Sequence, residues 1–320
     1  MRWLALSSFP MNGAALSSAV LSSGQNKVER RTPIVERLFS LTRLLPLSFA
    51  WRLGAGLGDL VGHLPIREVR RAREHLTKAF PEHDAAWVRR TARRVMRHFG
   101  RMMLTSLATL GHDACRLRRG VSLEGADNLR EMMRASRRGE GTVAVTGHFG
   151  NWELLARLGG SFMPLTVVGR RLRHPFADAL VQAARVAGGA RLLYQDADIR
   201  SFIRELREGR ILATLPDQDI ERLAHVFVPW FGHLACTPSG PAMLAVLTGS
   251  AVQPAFLYAK AGRWVLHFGP RRHFPRSRDR EQTAREITAW LMAYHEAIVR
   301  RAPEQWVWWH KRWRTRPRLD

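Results

Sequence analysis

Hydrophobic positions along this chain follow two rhythms. Up to about residue 119 the apolar residues recur every three or four positions, the spacing of one helix face. Thr32 to Pro65 is apolar but interrupted by Glu36, Arg37, Arg43, Arg52 and Asp59, and its longest uncharged run, Leu44 to Trp51, is 8 residues. A membrane span needs about 20. The pattern predicts amphipathic helices, either lying in a membrane interface or packed on the protein's own core. Arg67 to Lys78 reads as a basic helix ended by Phe80-Pro81. Asp84 is placed to cap the next one, where Val88, Ala92, Val95, Phe99, Met102 and Leu107 share a face and Arg89, Arg90, Arg93, Arg94 and Arg97 take the other. Beyond Gly120 short β-branched runs alternate with helical ones. Strands are expected at Thr142–Thr146, Leu165–Gly169, Arg191–Tyr194, Ile211–Leu215, Ala251–Tyr258 and Trp264–Phe268. Helices are expected at Asn151–Leu158, Pro175–Val186, Asp198–Glu208 and Pro241–Leu247, with a long one over 281–301. This alternation predicts an α/β fold with a mostly parallel central sheet flanked by helices. The expected organisation is a flexible extension over 1–31, a helical membrane-proximal region over 32–119, and an α/β domain over 120–320 that ends in an aromatic and basic tail.

Composition narrows the partners. The formal net charge is +24, with 47 of the 51 basic residues arginine. Such a surface attracts phosphate-rich or acidic partners: nucleic acid, anionic lipid or an acidic carrier protein. The two cysteines, Cys115 and Cys236, form no CxxC pair, which argues against a disulfide framework or a cysteine-built zinc site and suits a reducing compartment. Nothing in the sequence calls for a metal. Met1 to Gln25 has a charge near its start, but Pro10 and Asn12 interrupt the apolar core that a signal peptide requires.

The candidate chemistry centres on Thr142 to Gly159. A strand buried on both faces runs into Gly147, a turn, Gly150, and then Asn151, well placed to cap a helix carrying Trp152, Leu154, Leu155 and Leu158. The turn presents His148, and Glu153 follows one helical turn later, at the carboxyl end of a strand where α/β folds bind substrates. His63 and Glu68 have the same spacing, so spacing alone decides nothing. His63 has no strand before it and reads as a helix-end residue, whereas His148 has the strand, turn and helix that fix geometry. Its alternatives are a general base and a structural histidine satisfied by a local carboxylate. Arg170 follows the Leu165–Gly169 strand, and Asp217 and Asp219 follow the strand ending at Leu215. Asn151 is both a candidate substrate contact and a candidate cap.

Seven blocks taken in order resemble the bacterial lipid A biosynthesis acyltransferase family: GHFGNWE at 147–153, GRRL at 169–172, LPDQD at 215–219, VFVPWFG at 226–232, TPSGPAMLA at 237–245, TGSAVQPAF at 248–256 and PEQWVWWHKRWRTRP at 303–317. The likeness runs from about residue 33 to the end and includes the HxxxxD/E motif shared with glycerolipid acyltransferases. It implies transfer of an acyl chain from an acyl-carrier-protein thioester to a hydroxyl of a Kdo-bearing lipid A precursor, at the cytoplasmic face of the inner membrane. On this motif His148 would be the general base and Glu153 its charge partner. Arg170 would meet a substrate phosphate or the developing oxyanion, while Asp217 and Asp219 would bind a hydroxyl or pair with Arg170. The implied partners are acyl carrier protein, the glycolipid acceptor and an anionic inner-membrane surface, with no nucleic acid and no cofactor beyond the thioester. His174-Pro175 and Ile220-Glu221 depart from the family's pattern near presumed substrate contacts, so a lysophospholipid, ornithine lipid or phosphatidylinositol mannoside acceptor stays open. A basic nucleic-acid-binding protein is the non-enzymatic alternative. In the tail, Trp306, Trp308, Trp309 and Trp313 suit either a membrane-interface anchor or an aromatic seam closing the core.

Overall fold

The computed structural model describes residues 45–317, apart from 111, 113–116, 173–177, 179–180, 183–184, 187 and 276. The expected 1–31 extension, the start of the 32–65 region, Cys115 and His174-Pro175 lie outside the described residues.

Three helices come first. In α1 (Leu47–His63), Ala50, Gly54, Ala55, Gly58 and Gly62 form a small-residue face buried against α3 (Ala85–Thr109). The backbones touch: a Cβ on Gly54 would lie 2.4 Å from the Gly100 carbonyl oxygen, and one on Gly58 would lie 2.2 Å from that of Met96. Leu47 and Trp51 pack on the protein, but with glycine facing α3 other bulky side chains at and just past α1 face outward. Phe49, Leu53, Leu57, Leu60 and Leu64 are all more than 40% exposed. No described helix is long and apolar enough to cross a membrane. His63 ends α1, its Nδ1 2.9 Å from the Asp59 carbonyl oxygen, as its lack of a preceding strand implied. α2 (Arg67–Ala79) follows, and Asp84 caps α3 by accepting the Trp87 N–H at 2.7 Å.

The α/β part is a seven-stranded sheet in the order β1-β9-β8-β2-β5-β3-β4. Its strands are β1 (Val121–Glu124), β2 (Thr142–Val145), β3 (Leu165–Gly169), β4 (Arg191–Tyr194), β5 (Ile211–Thr214), β8 (Ala251–Lys260) and β9 (Arg263–Phe268). All neighbours pair in parallel except β8 with β9, so the sheet is mostly parallel, as expected. Its described helices include α4 (Ala126–Arg137), α5 (Trp152–Gly160), α6 (Ile199–Arg207), α7 (Gly240–Thr248) and α8 (Arg280–Arg301). β2 lies between β5 and β8, and all four of its residues are buried.

Outside this sheet β6 (His225–Trp230) and β7 (His233–Pro238) make an antiparallel hairpin packed on α8. The hairpin, β1 and α4 were not expected from sequence. β1 is four residues with one buried position, and Pro229 inside β6 reads as a strand breaker. A two-stranded ribbon has only edge strands, where proline is tolerated. The tail runs back through the core: Trp306, Trp308 and Trp313 are buried beside Trp230, Phe231 and Phe80. It is the aromatic seam of the two readings.

Candidate active site

β2 delivers the chain into a turn that the rest of the protein holds rigidly. Gly150 has φ +64°, and a Cβ there would lie 2.0 Å from the Leu257 carbonyl oxygen, so only glycine fits. Its N–H donates to Gln305 at 2.9 Å, and its carbonyl accepts from His98 Nε2 at 3.2 Å. Asn151 donates its N–H to Leu257. Its side-chain oxygen accepts from the Leu154 N–H at 2.9 Å and the Ser106 hydroxyl at 3.0 Å. Fully buried, Asn151 caps α5.

Strand register explains what meets His148. Val145 of β2 is paired with Thr214 of β5, and each chain runs three residues past its strand end, to His148 and Asp217. The two side chains therefore emerge at the same level of adjacent parallel strands. Asp217 Oδ1 lies 2.8 Å from His148 Nδ1; Oδ2 accepts the His148 backbone N–H at 2.7 Å and the Trp306 indole N–H at 2.8 Å. The carboxylate is completely buried. Burial opposes its charge, but His148, its hydrogen bond, His295 and the Trp306 N–H hold the Asp217 carboxyl well below the usual carboxylate range. An ionised acceptor at Nδ1 keeps the proton on that nitrogen and leaves the lone pair on Nε2. The His148 side chain is one-quarter exposed, so a base is available to an incoming group.

The expected pairing of His148 with Glu153 is not formed. One turn into α5, Glu153 faces Arg185 and forms a two-pronged ion pair at 2.7 and 3.0 Å. Asp217 occupies the place beside His148 that the motif spacing had suggested for Glu153. Nor do the two loop aspartates pair with Arg170, which stands exposed just past the end of β3. Asp217 is committed to His148 and Trp306. Asp219 accepts from the Thr315 N–H and hydroxyl, both at 2.8 Å, and from Arg314 at 3.3 Å, which fastens the tail to the loop after β5.

Two unlike spaces open on this centre. Residues such as Met132, Leu155, Met163, Ile211 and Phe268 line a narrow slot that, among the described residues, is apolar but for Arg185 and the Thr146 hydroxyl. A wider bay of about 430 Å³ is bounded by His148, Gln218 and His310, with Arg67 and Arg71 from α2, Lys311 and Arg314 from the tail, and Glu68 as the one acid among the described residues. Trp152 borders both, its ring centroid 5.1 Å from that of His148.

This arrangement belongs with what the comparison of sequences gives: residues 34–315 match the bacterial lipid A biosynthesis acyltransferase family. The chain belongs to that family. It is 31% identical over 277 residues to a lipid A biosynthesis lauroyltransferase of Escherichia coli K12, covering 85% of this chain and 88% of the relative. A lipid A biosynthesis palmitoleoyltransferase of the same organism is 27% identical, over 85% and 87%. A phosphatidylinositol mannoside acyltransferase of Mycolicibacterium smegmatis is 26% identical over 53% of this chain and 59% of its own length.

For a lipid A acyltransferase, the sequence pointed to Asp217 but not to His295 or His310 at the centre. Asp217 was placed in the site but with other partners; the clue was its position three residues beyond a strand, matching His148. His295 of α8 is fully buried and stacked on Phe256, and burial, against the pull of Asp217, lowers its pKa to about 4. His310 lay within the tail block with no signal separating it from its aromatic neighbours.

Proposed function

We propose that this chain is an O-acyltransferase moving a fatty acyl group from an acyl-carrier-protein thioester to a hydroxyl of a lipid A precursor, with His148 as general base. The observation carrying this reading is that Trp152 borders both a narrow apolar slot and a bay that offers His148 and, among the described residues, four cations. A fatty chain suits the slot, and the phosphates of a glycolipid suit the bay. His148 Nε2 takes the hydroxyl proton as that oxygen bonds to the thioester carbonyl carbon, whose π pair moves onto its own oxygen. Collapse of the adduct re-forms the carbonyl and breaks the C–S bond, and the departing thiolate takes the proton from the His148 imidazolium. Asp217 orients the ring and stabilises the imidazolium. Glu153, paired with Arg185 at the slot, shapes the entry of the acyl chain, and Arg170 is left to meet charged groups of the acceptor outside the bay. Phe49, Leu53, Leu57 and Leu60 would seat α1 in the interface of an anionic inner membrane, at the cytoplasmic face where acyl carrier protein is found.

The partial likeness to a phosphatidylinositol mannoside acyltransferase favours one alternative, a different phosphorylated glycolipid acceptor served by the same chemistry. Both are tested by offering labelled acyl-carrier-protein thioesters with a Kdo-lipid A precursor, a phosphatidylinositol mannoside or a lysophospholipid. Transfer to the lipid A precursor, reduced at least about 10²-fold in His148→Ala, is expected. Transfer to another acceptor alone would move the substrate assignment, and full activity of the variant would remove His148 as base.

A further inference from the structure

The bay that holds His148 has a second imidazole in its wall. His310 Nε2 accepts the backbone N–H of Asp219 at 2.9 Å. A ring nitrogen that accepts a hydrogen bond carries no proton, so His310 is neutral with its proton on Nδ1. Turning the ring over would set a C–H against the Asp219 N–H, which leaves this one tautomer. Burial reinforces it: desolvation outweighs the attraction of Asp217 and lowers the His310 pKa to about 4. The backbone around it is fixed. His310 donates its N–H to the Val307 carbonyl at 3.0 Å, and its carbonyl accepts from Arg312 at 2.9 Å. The buried Arg312 is itself tied to the Cys236 carbonyl and, at 2.6 Å, to the Thr237 hydroxyl. Among the described residues, nothing accepts a hydrogen bond from His310 Nδ1.

Two histidines in one cavity are thus set to opposite tasks by one loop. The Asp217 side chain accepts a hydrogen bond from the His148 Nδ1–H and leaves a lone pair on Nε2. Two residues on, the Asp219 backbone N–H takes the Nε2 lone pair of His310 and leaves a proton on Nδ1. The first imidazole can accept a proton; the second can only donate a hydrogen bond.

We propose that His310 is a second catalytic residue, its Nδ1–H donating to the thioester carbonyl oxygen and holding the oxyanion while His148 takes the hydroxyl proton. His310 keeps its own proton throughout. The proposal deepens the acyl-transfer reading and rests on it. A rigid neutral donor aimed at an oxygen that becomes charged only during reaction lowers the barrier without tightening the ground state.

The test uses the full chain in detergent micelles and follows two reactions of one acyl-carrier-protein thioester: transfer to the lipid acceptor, and slow hydrolysis in its absence. An oxyanion donor serves both reactions, whereas a residue that binds the acceptor serves only the first. His310→Ala is expected to lower kcat about 10²- to 10³-fold in both reactions, with the acceptor KM little changed. His310→Gln keeps an acceptor for Asp219 and an N–H for the cavity, so it should recover at least about tenfold over alanine and carries the test if the alanine variant fails to fold. Wild-type rates in either variant while His148→Ala is inactive would overturn this proposal alone. Loss of transfer with hydrolysis intact would also overturn it, placing His310 at the acceptor instead. A wild-type protein that transfers from no thioester would overturn the acyl-transfer reading and this proposal together.

Discussion

At the scale of single residues, the centre turns on which carboxylate holds His148. Asp217 is buried and takes three N–H groups, two of them from His148, while Glu153 is bound to Arg185. The two acids should therefore respond differently to loss of charge. In Asp217→Asn the amide can turn its NH₂ toward Nδ1, which moves the imidazole proton to Nε2 and removes the base. A fall in kcat of at least about 10²-fold with KM nearly unchanged is expected. Glu153→Gln leaves the His148 tautomer intact and frees Arg185 beside the slot, so its effect should lie in the KM for the acyl donor, with kcat within about tenfold of wild type. Steady-state kinetics on both variants decides the matter: equal kcat losses would return Glu153 to the role its spacing suggested. That spacing was legible and misleading for a physical reason. A five-residue separation places both groups on one turn-helix unit, but the partner of His148 is set by the register of β2 with β5, a contact across 69 residues of chain.

At the scale of elements, α1 reverses the usual arrangement of a helix on a soluble protein. Its small residues meet α3 at backbone contact, and Phe49, Leu53, Leu57 and Leu60 face out. Two substitutions separate those faces. Leu53→Glu with Leu57→Glu alters exposed positions, so the melting temperature should stay within a few degrees while binding to anionic vesicles falls steeply in a sedimentation assay. Gly58→Val drives a side chain into the Met96 backbone and should destabilise by about 1–3 kcal/mol, seen as a lower denaturation midpoint. Undiminished vesicle binding by the Leu53/Leu57 variant would sink the interfacial role of α1. Among the elements, the strands that reproduce their sequence signal are those whose signal is local: β2, β3, β4, β5, β8 and β9 are β-branched, aromatic or apolar runs bounded by turn residues. The β6–β7 hairpin and the tail were illegible because their partners are distant. Trp306, Trp308 and Trp313 look the same in sequence whether they meet lipid or Trp230, and only the folded α8 and hairpin bring Trp230 to them.

Across the whole molecule, a basic protein has placed neutral imidazoles in its interior. His98 holds the turn after β2, His295 backs Asp217, and His310 lines the bay. Burial lowers the pKa of each to about 4, and lowers His75 and His267 as well. Between about pH 6.5 and 4 the unfolded chain protonates these groups while the native state does not, so the unfolded state binds more protons and stability falls as pH falls. His98, His295 and His310 should each contribute roughly 1 kcal/mol per pH unit in that window. Asp217 acts elsewhere. Its carboxyl is held below the usual carboxylate range, so the stability it contributes persists through this window and is lost only at lower pH. Urea denaturation at pH 7, 6 and 5 is expected to show a steep decline, with His98→Gln shallower by about one proton because glutamine can still donate to the Gly150 carbonyl without titrating. A slope unaltered by that substitution would mean that His98 is charged in the native protein. The turn carrying His148 would then rest on a buried cation, and its rigidity would need another source than the neutral donor that now ties α3 to the turn.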